Sequence, residues 1–196
     1  MRAIILNGHG GVDALGYVEN FPDPQCGKDD VVVRVKSTSL NYHDIFTRNG
    51  MPGIKISMPM ICGLDVAGEI AEIGANVSGW KIGERVLIDP RNRVEGGLVG
   101  ETIHGGLAEY CRVKEHQLVR IPDGVSFDQA SSLPVAYGTA HRMMMTIGQV
   151  TSDDKILILG ASGGVGTGAL LLAKMAGAEV VAVSYTHLRA HETSTY

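Results

Sequence analysis

A glycine-rich turn between an apolar run and a helical run constrains the fold of this chain more than any other feature. Residues 155–160 read KILILG, an apolar run typical of a buried strand. A later stretch, VGTGALLLAKMAG (165–177), has the spacing of a helix that ends at Gly177. A second apolar run, AEVVAVS (178–184), predicts another strand. The order strand, glycine turn, helix and strand predicts a βαβ unit with two parallel strands.

The turn itself has the spacing of a dinucleotide-binding motif. Ala161 takes the first position of G/A-x-G-x-x-G, Gly163 would let the backbone approach a pyrophosphate, and Gly166 would let the helix pack tightly on the strand. Free N–H groups at a helix start bind an anion without a basic side chain. We therefore predict that a cofactor is held by Gly160, Ala161, Ser162, Gly163, Gly164, Val165 and Gly166. A tight strand-to-helix turn without a ligand is the alternative.

The end of the second strand bears on the choice between NAD and NADP. In such a unit, an acidic residue about 20 positions after the glycine turn usually accepts hydrogen bonds from the ribose hydroxyls of NAD. Val183, Ser184 and Tyr185 stand there instead, and Glu179 comes before the strand. A carboxylate would repel the 2′-phosphate of NADP, so its absence favours NADP, with Ser184 as a contact. NAD stays possible.

The first 120 residues are rich in short β-branched runs bounded by Gly, Pro, Asp or Asn, which predict strands and turns. These runs cover residues 3–6, 31–36, 66–73, 85–88 and 108–113. Their even spacing is typical of a small barrel or sandwich, and HDIFTRNG (43–50) predicts a short helix ended by Gly50.

The pattern changes after residue 121. The stretch SFDQASSLPVAYGTAHRMMMTIGQV (126–150) has helical spacing, with Ser126 as a cap and Pro134 as a break. We therefore expect the domain boundary to lie between about 118 and 150, since the two halves differ in their dominant period.

Composition excludes several classes of protein. A net charge of −4 without a basic stripe argues against nucleic acid as a partner. Cys26, Cys62 and Cys111 lie far apart, so neither a disulfide framework nor a structural zinc knuckle is expected. The N-terminus does not read as a signal peptide, and no apolar run approaches the roughly 20 residues of a membrane span. These features predict a cytoplasmic protein that does not enter a membrane.

Six stretches follow one another along the chain: MRAIILNGHGGVDAL, VVVRVKSTSLNYHDIFTRNG, GLDVAGEIAEIGANVSGWKIGERV, GGLAEYCRV, LPVAYGTAHRM and GASGGVGTGALLLAKMAGAEV. In this order they resemble the medium-chain dehydrogenase/reductase family, and most closely its quinone oxidoreductase-like branch. The resemblance implies a mixed fold, with a GroES-like β-barrel domain over residues 1–120. The first βαβ unit of an incomplete α/β Rossmann domain would follow over 121–184, and the active site would lie in the cleft between the two domains.

The resemblance also bears on zinc, which the alcohol dehydrogenase branch of this family carries. The positions of its catalytic metal ligands correspond here to Asn41, Leu64, Asp65 and Val135. Leucine and valine have no ligand atom, and asparagine is a poor zinc ligand beside thiolate or imidazole. Residues 86–110 contain no cysteine, so the structural zinc loop is missing too. We expect no metal.

One alternative to a metal-free site stays open. His43, Cys62 and Asp65 are legitimate ligand types near the implied site, and they would form an unconventional zinc site. Their spacing does not match the ligand positions of the family.

Without a metal, the expected reaction is hydride transfer from NADPH or NADH to an electron-poor small molecule. Such a substrate would be a quinone or an α,β-unsaturated carbonyl. By the resemblance, Asn41, Tyr42 and Asp44 line the barrel side of the active site, and Thr139 faces the nicotinamide. Tyr42 is the candidate donor to the substrate oxygen, although local hydrogen bonding is an alternative role for Tyr42 and Asp44. Two other functions stay open: a zinc-dependent alcohol dehydrogenase, and a non-catalytic dinucleotide-binding homologue.

The last residues do not continue the family pattern. Residues 185–196, YTHLRAHETSTY, are expected to be a non-native, adapter-derived tail, so the natural protein would continue beyond this chain. The 196-residue chain alone is then expected to be inactive. The full-length protein is expected to be a homo-dimer or homo-tetramer.

Overall fold

The structure is a computed structural model that describes residues 1–184, and it divides into two compact units. The N-terminal unit is Met1–Val135, and the C-terminal unit begins at Ala136. The tail predicted at 185–196 lies outside the described residues.

The N-terminal unit is built mainly from antiparallel strands. Its strands are β1 (Ala3–Leu6), β2 (Leu15–Val18), β3 (Asp30–Ser39), β4 (Met60–Ile61), β5 (Asp65–Ile73), β6 (Arg85–Ile88), β7 (Tyr110–Lys114) and β8 (Leu118–Arg120), and its helices are α1 (Tyr42–Asn49) and α2 (Phe127–Ser131). One sheet has the order β7-β3-β5-β6-β8 and the other the order β2-β1-β4. A bridge between Ala3 and Ala108 links the two, with the Ile4 N–H donating to the Leu107 carbonyl at 2.8 Å.

The core of this unit lies on one face of the larger sheet. Strand β7 shows the alternation that produces it, because Cys111 and Val113 are buried while Arg112 between them is exposed. The same cluster contains Val31, Val33, Val66, Ile70, Val86, Ile88, Val99 and Leu118. Successive side chains of a strand point to opposite faces, so the inward-facing residues of these strands meet in one layer.

Most of the predicted elements are present in this unit. The runs at 3–6 and 85–88 form strands with those bounds, and the helix predicted at 43–50 spans Tyr42–Asn49. The short strands β2, β4 and β8 were not predicted. Strands β4 and β8 have only two and three residues, which is too short for a period of two to stand out, and β2 contains Gly16, which interrupts its apolar run.

Helix α2 belongs to the N-terminal unit, although the predicted domain assignment ends that domain at residue 120. Ala130 of α2 packs with Ala67 of β5 and with Ile121 in one buried cluster. The compact unit therefore extends to Val135. Ser126 caps α2 as predicted, because its hydroxyl accepts a hydrogen bond from the Gln129 N–H at 3.1 Å.

The C-terminal unit contains the predicted βαβ arrangement. Its elements are α3 (Ala136–His141), a π-helical segment (Arg142–Ile147), β9 (Lys155–Leu159), α4 (Gly164–Met175) and β10 (Glu179–Val183). Strands β9 and β10 are parallel, and a cluster of Ala140, Met144, Ile158, Ala169 and Ala173 packs the helices against them. Within residues 1–184, no helix combines the length and apolar composition that crossing a bilayer requires.

Candidate functional site

The predicted phosphate-binding turn connects β9 to α4. Gly160 follows the last residue of β9 and has φ +67°, which glycine adopts without strain. The Gly163 N–H donates to the Gly160 carbonyl at 2.9 Å, and the Thr167 N–H donates to Gly163 at 2.8 Å as the first bond of the helix. The N–H groups of residues 164–166 therefore have no carbonyl partner within the helix, which is the arrangement that binds a phosphate.

Gly166 is the position where the turn tolerates no side chain. A Cβ there would lie 2.2 Å from the Gly160 oxygen and 2.8 Å from the Ala161 Cα. The Thr167 hydroxyl also donates to the Ala161 carbonyl at 3.2 Å, so the helix start is held tightly against the turn. This close approach matches the packing role predicted for the third glycine of the motif.

Ser184 lies at the same sheet edge as the turn. Leu159 pairs with Val183 in the parallel register, so Gly160 and Ser184 both follow the carboxyl ends of their strands. The Ala161 N–H donates to the Val183 carbonyl at 3.0 Å, which ties the turn to the end of β10. The predicted cofactor residues thus come together at one edge, the usual ligand edge of an open parallel sheet.

Glu179 stands at the opposite end of β10. Its carboxylate pairs with the Lys155 ammonium at 2.8 Å, on the exposed amino end of the two strands. Along the described part of β10, therefore, no acidic side chain stands at the end where a ribose would bind.

In the N-terminal unit, Asp44 fixes the start of α1. Its buried carboxylate accepts hydrogen bonds from the Asn41 N–H at 2.8 Å and from the Gly63 N–H at 3.0 Å. Burial raises the pKa of Asp44, because it penalises the ionised form more than the two N–H donors favour it. Asp44 therefore holds the helix start against residue 63, which is the local role that the sequence left open for it.

Because the pKa of Asp44 is raised, the stability of the folded protein should depend on pH in a testable way. Between the ordinary carboxyl pKa of 3.8 and the raised value, the folded protein binds more protons than the unfolded chain. The stability that Asp44 contributes is thus fully present below that range and is lost as pH rises through the raised pKa. We expect the unfolding free energy of the wild type, minus that of D44N, to fall as pH rises.

Urea denaturation followed by the fluorescence of Trp80, the single tryptophan, measures this difference at each pH. D44N has no titrating group at position 44. Any hydrogen bonds lost in this variant therefore change its unfolding free energy by the same amount at every pH. A difference that increases with pH would contradict the assignment.

Asp65 gathers three donors onto one buried carboxylate. Its Oδ2 accepts from the Ser39 hydroxyl at 2.6 Å and from the Asn41 amide at 2.9 Å, and its Oδ1 accepts from the Val135 N–H at 2.9 Å. The residue is 1% exposed, so water does not compete for these bonds. Residues 41, 65 and 135, which correspond to zinc-ligand positions in the alcohol dehydrogenase branch, are therefore close together here.

These residues do not fit a zinc ion. Leu64, the fourth corresponding position, is a buried hydrocarbon side chain, and Val135 offers its N–H to Asp65. Both carboxylate oxygens of Asp65 already accept hydrogen bonds, two at Oδ2 and one at Oδ1, so three of about four acceptor sites of the carboxylate are used.

The unconventional zinc set of His43, Cys62 and Asp65 is not assembled either. The His43 Nε2 pairs with the Glu101 carboxylate at 2.6 Å, and the Asp65 carboxylate accepts hydrogen bonds from Ser39, Asn41 and Val135. Among the residues from 1 to 184, no three His, Cys, Asp or Glu side chains are grouped as a metal site.

The predicted substrate-side residues differ in accessibility. Tyr42 is 77% exposed, and its ring lies 6.1 Å from that of Phe46, one turn further along α1. Asn41 is half-buried and bound to Asp65, and Thr139 is exposed on α3. The phenol of Tyr42 is thus free to contact a ligand, whereas Asn41 and Asp44 have structural partners.

The pairing of His43 with Glu101 was not found from the sequence. The two residues are 58 positions apart, and Glu101 lies in a loop between Gly100 and the Gly105–Gly106 pair. Only the folding of that loop towards α1 brings the carboxylate to the imidazole. The one sequence feature that could have pointed to this pair is the position of an acidic residue, Glu101, in a glycine-rich loop.

The chain belongs to the medium-chain dehydrogenase/reductase family, as its sequence resemblance implied. Residues 27–123 match the model of the alcohol dehydrogenase GroES-like domain. The mixed fold predicted from that resemblance is confirmed, with the GroES-like domain followed by part of a second domain.

Its relatives include several reductases. The chain is 32% identical to an acryloyl-coenzyme A reductase of Sulfurisphaera tokodaii, over 100% of this chain and 62% of the relative. It is 37% identical to the chloroplastic quinone-oxidoreductase QR1 of Triphysaria versicolor, over 93% and 55%. It is 34% identical to the chloroplastic NADPH-dependent alkenal/one oxidoreductase of Arabidopsis thaliana, over 89% and 44%. The chain thus spans less than two thirds of these relatives.

Solved structures agree on the fold. An NAD-dependent alcohol dehydrogenase superposes with a TM-score of 0.88 at 31% identity, covering 97% of this chain and 60% of that one. A cobalt- and zinc-bound alcohol dehydrogenase from Pyrobaculum aerophilum gives a TM-score of 0.85 at 29% identity, covering 97% and 62%. Both structures are of alcohol dehydrogenases, so the shared fold does not by itself separate that activity from the reductions that the sequence relatives are named for.

Proposed function

We propose that this protein is an NAD(P)H-dependent oxidoreductase that transfers hydride to a quinone or an α,β-unsaturated carbonyl without a catalytic zinc. The observation that carries the proposal is the Asp65 carboxylate, which accepts hydrogen bonds from Asn41 and from the Val135 N–H at three of the four corresponding zinc positions. Without a Lewis acid to polarise an alcohol or a simple carbonyl, substrates that already accept electrons readily are favoured. The names of the quinone and alkenal/one oxidoreductase relatives support this class.

The cofactor would be held at the sheet edge of the C-terminal unit. The N–H groups of residues 164–166 would bind the pyrophosphate, and Gly160, Ala161, Ser162, Gly163, Gly164, Val165 and Gly166 would form the turn around it. Ser184 replaces the acid that selects NAD, which supports NADP. The bound dinucleotide supplies the hydride, and these residues bind and orient it.

The substrate would be held on the N-terminal unit at the start of α1. The exposed Tyr42 hydroxyl would donate a hydrogen bond to the substrate oxygen, where negative charge develops. Asn41 and Asp44 would keep the helix start in position through their bonds to Asp65 and Gly63. Thr139 is the proposed contact to the nicotinamide. Assembly as a homo-dimer or homo-tetramer and a cytoplasmic location remain predictions.

Loss of NADPH absorbance, measured on the full-length protein with a panel of quinones and alkenals, tests this function. We expect turnover with members of that panel, faster with NADPH than with NADH, and a zinc content far below one per chain. Stoichiometric zinc together with oxidation of alcohols would show a zinc-dependent alcohol dehydrogenase instead. Cofactor binding without turnover on any acceptor would show a non-catalytic homologue.

A further inference from the structure

Two Asn-Gly pairs occur in the chain, Asn7–Gly8 and Asn49–Gly50. The side-chain carbonyl of an asparagine is most open to attack by the next backbone nitrogen when that residue is glycine, because glycine has no Cβ to hinder the approach. Both asparagines are exposed and both glycines are half-buried, so exposure does not distinguish the two pairs. The backbone around each pair does differ.

The Asn49–Gly50 pair is held by the end of α1. Asn49 is the last residue of the helix, and the Gly50 N–H donates to the Phe46 carbonyl at 2.9 Å. The Asn49 Oδ1 also accepts a hydrogen bond from the Arg48 guanidinium at 3.2 Å. Attack by the Gly50 nitrogen would break the bond that closes the helix and would draw Asn49 out of its helical backbone. This pair therefore reacts only after local unfolding.

The Asn7–Gly8 pair lies in the loop that follows β1. Within the described residues 1–184, the Gly8 N–H donates to no acceptor and the Asn7 side-chain amide makes no hydrogen bond. A Cβ built on Gly8 would meet nothing within 4 Å, so there is open space around the nitrogen. The Asn7 N–H does donate to the Ala14 carbonyl at 3.3 Å, but this bond uses neither of the two reacting groups. No bond has to open before this pair reacts.

We propose that Asn7 is a site of spontaneous deamidation and that the fold protects Asn49 from the same reaction. A base in the solvent, water or hydroxide, removes the proton of the Gly8 N–H, and the nitrogen forms a bond to the Cγ of Asn7. The bond from Cγ to the side-chain nitrogen then breaks, and that nitrogen takes back a proton and leaves as ammonia. Water opens the succinimide ring that results. The product is aspartate, or isoaspartate in which the main chain runs through the former side chain.

The modified residue lies in a loop that contacts the end of α1. The Gly10 N–H donates to the Arg48 carbonyl at 3.0 Å, and the His9 Nδ1 lies 3.1 Å from the Thr47 carbonyl. Isoaspartate lengthens the main chain just before these contacts, so the Gly10 amide should exchange its hydrogen faster than in the unmodified chain. Either product adds a negative charge to the net charge of −4, which allows anion exchange to separate the modified chains.

The test compares the two pairs within one molecule. The 196-residue chain is incubated at mildly alkaline pH, once folded and once in guanidinium chloride, and peptide mapping by mass spectrometry follows residues 7 and 49. In guanidinium chloride both pairs should convert at similar rates, because glycine follows the asparagine in each. In the folded chain Asn7 should convert at nearly its unfolded rate. Asn49 should convert at least about 10-fold more slowly, since a hydrogen bond and a helical turn have to open first.

The variant G8A is the matched control for the chemistry. Its new methyl group fits into open space, so the fold is kept, but it hinders attack by the nitrogen of residue 8. Asn7 of G8A should stay intact over the interval in which wild-type Asn7 converts. Equal rates at residues 7 and 49 in the folded chain, or protection of both, would overturn the proposal. Undiminished loss of the Asn7 amide in folded G8A would overturn the attack by the backbone nitrogen.

Discussion

Gly166→Ala is expected to lower the affinity of the full-length protein for NADPH by about 100-fold, which corresponds to about 2.7 kcal/mol of binding free energy. The new Cβ would lie 2.2 Å from the Gly160 oxygen and 2.8 Å from the Ala161 Cα, and both are backbone atoms that no rotamer change can move. The turn would have to open, which displaces the N–H groups proposed to bind the pyrophosphate. We also expect the C-terminal unit to lose about 2 kcal/mol of stability. Calorimetric titration measures the first effect, and hydrogen exchange of the α4 amides measures the second.

Two other glycines provide controls for this prediction. A Cβ at Gly138 would meet nothing within 4 Å, so G138A should bind NADPH normally and should stabilise α3 by about 1 kcal/mol or less. A Cβ at Gly163 would have as its nearest neighbour the Gly160 oxygen at 3.4 Å, and φ there is −77°. G163A should therefore keep its stability but lose affinity, because its Cβ would occupy the space where the cofactor backbone approaches. Wild-type affinity in both G163A and G166A would mean that the turn is structural and holds no dinucleotide.

The βαβ unit could be predicted because the sequence patterns that determine it lie close together along the chain. The apolar runs, the glycine turn and the helix that follows lie within 30 residues of each other, and each imposes a different period on the sequence. The cap of α2 is local too, since Ser126 and Gln129 exchange hydrogen bonds in both directions over three positions. Such patterns depend on the backbone of a single segment, so they can be recognised in the sequence without knowledge of the rest of the fold.

The polar contacts of the candidate site could not be predicted in the same way. Asp65 and Val135 are 70 positions apart, and the bond between them exists only because α2 folds back onto β5. The resemblance to a zinc-binding branch aligned both positions and led to the expectation that they hold no zinc. It did not show that hydrogen bonds connect the same positions. That result depends on side-chain geometry at the junction of three segments, which periodicity does not describe.

Asp65→Ala is expected to lower the unfolding free energy of the N-terminal unit by about 4 kcal/mol. The substitution leaves the Asn41 amide and the Val135 N–H facing an apolar methyl group in a site that is 1% exposed, while the Ser39 hydroxyl keeps the Ser131 carbonyl as an acceptor at 3.2 Å. Each buried donor left without a partner costs about 1–3 kcal/mol, and partial entry of water into the space reduces the total. Urea denaturation followed by Trp80 fluorescence measures the change, because this tryptophan packs against the core of the same unit.

A graded series separates the hydrogen bonds of Asp65 from its volume. D65N keeps the volume, but it replaces one acceptor oxygen by an NH2 group that faces donors, so we expect a loss of about 2 kcal/mol. S39A removes one donor and should cost about 1 kcal/mol, while D123A, at an exposed aspartate, should cost less than about 0.5 kcal/mol. The order D65A, D65N, S39A, D123A follows from how many of the hydrogen bonds to Asp65 each substitution disrupts. Equal stability of D65N and wild type would mean that one carboxylate oxygen is not needed, which would contradict the three-donor arrangement that supports the proposal of a metal-free site.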